Sequence, residues 1–184
     1  MKKSFTLFVL YSFFLFAFAQ VSVAQQIITV PYSMSFEEDE STELSNWVLN
    51  PGANASKCVD QWYVGEAVKS DGKQALYISS DKGASAMFGV AKNVQYAYRD
   101  LQLPKGVYDV SFDWACLGSK EAVMYAGVAP ATNLTLEASS VNGVVPSGVM
   151  SWCKTLGEMS GTTLWKNASM KLSSNGTSTY RLFF

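Results

Sequence analysis

The clearest hydrophobic pattern in the chain lies at 107–114, where Tyr108, Val110, Phe112 and Trp114 alternate with Asp109, Ser111 and Asp113. Successive side chains of an extended strand point to opposite sides, so this segment predicts a strand with one apolar and one polar face. The turn Pro104-Lys105-Gly106 leads into it. Similar short patterns recur. Residues 27–30 and then Tyr32, Met34 and Phe36, alternating with Ser33, Ser35 and Glu37, predict a first strand interrupted by Pro31. A proline there places it at a sheet edge or at a change of sheet. Further strands are predicted at 61–65, 76–80, 94–98, 122–128 with a stop at Pro130, 164–172 and 180–184. The stretches between them are rich in Gly, Pro, Asn and Asp, as turns require. No window carries a sustained helical period, although 40–47 or 150–159 would suffice for one short turn of helix. Many short strands about ten residues apart predict an all-β fold, a two-sheet antiparallel β-sandwich.

The N-terminus reads differently. Lys2 and Lys3 precede an apolar run at 5–19, and Ser22-Val23-Ala24 places small residues at the minus-three and minus-one positions of a cleavage site after Ala24. This is the pattern of a secretory signal peptide, residues 1–24. Its apolar run is shorter than the roughly 20 residues of a membrane span, so no transmembrane anchor is expected. Export predicts a secreted, periplasmic or cell-surface protein. Of 184 residues, 160 then remain as 25–184, the size of a single domain. Losing two of the 14 basic residues leaves 12 against 15 acidic ones, a net charge of −3. With no basic cluster, nucleic acid is not expected as a partner.

Chemistry is constrained by what the chain lacks. It contains no histidine, which removes Ser-His-Asp and Cys-His catalysis and histidine-ligated zinc. Cys58, Cys116 and Cys153 are too few and too widely spaced for a disulfide scaffold. They read as small buried residues, with one bridge among three pairings open to an exported protein. The acidic run at 37–40 would serve a carboxylate pair for glycoside hydrolysis, but no Glu-x-Asp-x-Glu pattern puts acids on one sheet face, and a charge run is ordinarily a solvated loop. No catalytic residue is assigned, and the chain is expected not to be an enzyme. Trp47, Trp62, Tyr63, Trp152 and Trp165 would suit either a core or a sugar-stacking surface. Trp62 and Tyr63 are neighbours, so on a strand one of them faces away from the core. That pair is the first candidate for ligand contact. Asn54, Asn133, Asn167 and Asn175 begin Asn-x-Ser/Thr sequences, which matter only in a eukaryotic secretory host.

Several segments taken together resemble a family. They are Pro31-Tyr32-Ser33 leading to Phe36-Glu37-Glu38, then Trp47, Trp62-Tyr63-Val64-Gly65, Leu76-Tyr77-Ile78-Ser79-Ser80-Asp81 and Tyr96-Ala97-Tyr98-Arg99. They continue with Leu103-Pro104-Lys105-Gly106, the run 107–114, Trp165 and Tyr180-Arg181-Leu182-Phe183-Phe184. In order and spacing the set is similar to the secreted jelly-roll modules called choice-of-anchor J, akin to cleaved-adhesin and MAM domains of Bacteroidetes-type proteins. The resemblance implies a galactose-binding-like jelly roll used for adhesion or for binding a glycan or a surface or host protein. The alternatives are a structural spacer or assembly domain and a carbohydrate-active enzyme domain. The resemblance also implies a structural calcium ion held by Glu37, for which Asp113 is the candidate second carboxylate within the chain. Family members continue past the segment matched by 180–184 with a further strand, so the domain is expected to be C-terminally incomplete, its last strand lying in a longer product or coming from a partner.

Overall fold

The computed structural model describes residues 27–37, 39, 41–87, 89, 93–116, 124–138, 150–151 and 164–184. Residues 1–24, read from the sequence as a signal peptide, Trp152, Cys153 and the whole glycine-rich connection at 141–149 lie outside these residues. The regular structure of the described residues is mostly antiparallel strand, with one four-residue helix, α1 (Ser41–Leu44), and two 3-10 turns. None of the described helices is long and apolar enough to cross a membrane.

A five-stranded sheet forms the base. Its order is β1 (Trp47–Leu49), β4 (Ala97–Gln102), β9 (Thr179–Phe183), β6 (Gly127–Pro130) and β7 (Met150–Ser151). Strands β2 (Gln61–Gly65) and β3 (Ala75–Ser79) form one ribbon, and β5 (Gly106–Trp114) and β8 (Lys166–Ser174) form another. The alternation in β5 appears as expected: Tyr108, Val110 and Phe112 are half-buried and Trp114 buried, while Asp109, Ser111 and Asp113 are exposed.

The apolar face of the β5–β8 ribbon packs against the sheet. Leu172 and, at its margin, Tyr108, Val110 and Met170 share one cluster with Trp47, Leu101, Val128, Tyr180 and Leu182. Phe184 joins the layers, its ring 6.1 Å from that of Trp47 and 5.0 Å from that of Phe112. The opposite face of the sheet is covered by the segment after β6, whose Leu134 and Leu136 pack with Ala129 and Phe183.

Strands β4 and β9 pair in the sheet and β5 and β8 pair in the ribbon. The two crossovers, 103–105 and 175–178, therefore run side by side. Gly176 has φ +84°, and a Cβ there would lie 2.9 Å from Lys105 N. Ser174 Oγ donates to Leu103 O at 3.0 Å and accepts from Gly176 N at 3.1 Å.

The expected first strand departs from its pattern. Residues 27–36 keep the alternation, with Ile28 buried, Tyr32, Met34 and Phe36 half-buried, and Ser33 and Ser35 exposed. Yet among the described residues the segment's one β-bridge is a parallel one from Ile27 to Gln102, with Ile28 N donating to Gln102 O at 2.9 Å. Side-chain burial sets the alternation, whereas a strand also needs a backbone partner; Pro31 offers no N–H and Phe36 turns the chain at φ 65°. Likewise β6 begins later than expected and runs to Pro130, which sits opposite Tyr180 at the strand's end.

Candidate functional site

The predicted pair lies on β2, paired in register with β3: Trp62 opposite Ile78 and Tyr63 opposite Tyr77. As the strand period requires, the two side chains part. Trp62 turns inward, 8 % exposed, and its indole N–H donates to Gln95 O at 3.2 Å. Tyr63 faces outward, half-buried, beside Gln61 two residues back on the same strand face; its hydroxyl donates to Gln61 Oε1 at 3.3 Å.

Two loops raise walls around Tyr63. The first, 50–60, contains a 3-10 turn at Ala55–Lys57. It is fastened to β2 by Gln61 Nε2, which donates to Ala55 O at 3.0 Å, and by Asn50. The Asn50 amide donates to Trp62 O at 2.9 Å and accepts from Trp62 N at 2.7 Å. The second loop follows β3. Fully buried Ser79 donates to Asp81 Oδ1 at 2.6 Å and accepts from Gly83 N at 2.9 Å. Tyr77 donates to Gly83 O at 2.6 Å, and burial pushes its hydroxyl pKa up. Gly83, at φ +88°, lies against the Tyr63 ring, and a Cβ there would come 3.1 Å from Tyr63 Cδ1. The positive φ and that close approach both favour glycine.

Between these walls is an open cleft of about 440 Å³ lined by Ser56, Cys58, Val59, Gln61, Tyr63, Ser80 and Lys82. It offers hydroxyls, an amide, a phenol ring and an ammonium. Cys58 is no activated nucleophile: burial and then the charge of Asp60 push its thiol pKa up. The arrangement is suited to hydrogen bonding and ring contact. Of the two residues that the sequence put forward for ligand contact, Tyr63 lines the cleft and Trp62 does not. The same strand parity would have found Gln61, but Lys82 and Ser56 reach the cleft through loop geometry that no periodicity encodes.

The two carboxylates expected at a calcium ion have separate neighbours. Glu37 Oε1 accepts from Lys73 N at 2.7 Å and Gln74 N at 3.0 Å, and these bonds, that from Gln74 first, lower its pKa. Asp113, on the exposed face of β5, accepts from Asn167 Nδ2 at 2.9 Å. Among the described residues no group of three or more His, Cys, Asp or Glu side chains is placed to hold a metal.

Comparison with protein-family models, curated proteins and solved structures finds no match. The reading of the site therefore rests on its own chemistry.

Proposed function

We propose that this chain is a non-catalytic binding module, exported to the cell surface or beyond, that recognises a carbohydrate in the cleft at Tyr63. The observation that carries the reading is the composition of that cleft. A sugar presents hydroxyls to be paired and a C–H face to lie on a ring; Gln61, Ser56, Ser80 and Lys82 answer the first and Tyr63 the second. Trp62 serves it from within, holding β2 through its bond to Gln95 O. The supporting fold reading is a jelly roll, with the five-stranded sheet and the β5–β8 ribbon as facing layers. The charged and apolar start of the chain supports export.

A glycan array followed by titration of the hits tests this. Tyr63→Ala is expected to weaken binding at least about tenfold while thermal unfolding stays within a few degrees of the parent, since the side chain is only half-buried. Hits indifferent to Tyr63→Ala and Lys82→Ala would remove the cleft from the reading. An array without hits would favour the alternative, a spacer or assembly domain with no ligand of its own.

A further inference from the structure

The 55–60 loop is bonded by side-chain amides from a second segment. Gln95 Nε2 donates to Ala55 O at 3.2 Å, and Asn93 Nδ2 donates to Asp60 O at 3.4 Å. A carbonyl only accepts, so these bonds fix which end of each amide is nitrogen. The other ends, Gln95 Oε1 and Asn93 Oδ1, are buried with no hydrogen-bond partner. Gln95 is only 9 % exposed. Both amides thus reach the same loop, from residues two apart in the chain. In the same loop Asp60 is 6 % exposed, its Oδ1 accepting from Gly89 N at 2.5 Å.

We propose that Asp60, Asn93 and Gln95 form a site for a hard cation, with calcium the ion suited to an exported protein. Buried acceptors need partners, and this set is all acceptor: a carboxylate and two amide oxygens. One water donates only two hydrogen bonds, whereas calcium takes six to eight oxygens of this kind in flexible geometry. A single carboxylate makes the site weak, with a dissociation constant on the order of 10⁻⁴–10⁻³ M, the range of extracellular modules. The ion would tie the 55–60 loop to the segment at 93–95. The inference stands independently of any ligand in the cleft.

Thermal unfolding of the purified, chelator-stripped protein against calcium chloride tests it, together with equilibrium dialysis. The parent is expected to gain about 2–5 °C at about 10 mM calcium, and less with magnesium, which demands stricter octahedral geometry. Asp60→Asn is expected to abolish the gain and Glu37→Gln to keep it. Gln95→Glu, which adds a second carboxylate, is expected to unfold at lower temperature in chelator and to bind calcium about tenfold more tightly. Absence of bound calcium in the parent by dialysis would overturn the proposal. So would a calcium gain lost in Glu37→Gln but kept in Asp60→Asn. If Asp60→Asn fails to fold, dialysis of the parent and the Gln95→Glu titration decide.

Discussion

Individual side chains here work mainly by closing the chain's own hydrogen bonds. Arg181 on β9 is the fullest case. Its Nε and Nη2 donate to the two carboxylate oxygens of Asp100 at 2.7 and 2.8 Å, and its Nη1 donates to Leu134 O at 2.8 Å. Its guanidinium also lies 4.1 Å from the centre of the Tyr98 ring. One planar cation thus joins two strands and the segment that covers them, which a lysine point charge could not do. Asp81 acts similarly on a smaller scale. Hydrogen bonds from Ser79, then Ser85, hold its carboxyl down at about 2, below the ordinary value of 3.8. A depressed carboxylate contributes stability that is present above the unfolded value and is lost as pH falls through the folded one. Thermal midpoints are therefore expected to drop between about pH 4 and pH 2, with a shallower drop in Asp81→Asn. Equal slopes for the two proteins would show that the Asp81 loop does not carry this dependence. The Asp100–Arg181 pairing was not legible beforehand, because the two residues lie 81 apart and nothing local marks them as partners.

At the scale of elements the sequence spoke more plainly. β5 follows its alternation because it buries one face and the pleat then forces the other outward, and in β2 the same pleat parts buried Trp62 from half-buried Tyr63. The same rule misled at 27–36, where the faces are sorted but the backbone lacks a ladder. Parity reports burial; pairing is a separate property. The two faces of the β5–β8 ribbon are expected to respond very differently to truncation. Leu172→Ala removes a side chain that is 0 % exposed and is expected to cost about 2–5 kcal/mol. Asp113→Ala removes an exposed one and is expected to stay within about 0.5 kcal/mol. Urea unfolding of both variants measures the contrast, and a large loss for Asp113→Ala would mean that the wet face is engaged in something beyond its bond to Asn167.

For the whole molecule the determining feature is the fold-over at 103–105 and 175–178, where the β4–β9 pair in the sheet becomes the β5–β8 pair in the ribbon. Gly176→Ala places a Cβ at a positive φ and 2.9 Å from Lys105 N. It is expected to cost about 1–3 kcal/mol by equilibrium unfolding, much more than an ordinary loop alanine. A cost below about 0.5 kcal/mol would show that the crossovers can separate without loss. The bend was only half visible in advance. Pro104-Lys105-Gly106 announced a turn, but its contact with Gly176 depends on pairings between strands far apart in the sequence.

Asn50 has a consequence for how the protein behaves among its own copies. By offering one acceptor and one donor to Trp62, its side chain imitates a single residue of a neighbouring strand on the side of β2 away from β3. An open strand margin is a template for another chain's backbone. Here that margin is occupied at Trp62 by an amide that cannot be extended, so at this point the β2 edge is closed to an added strand.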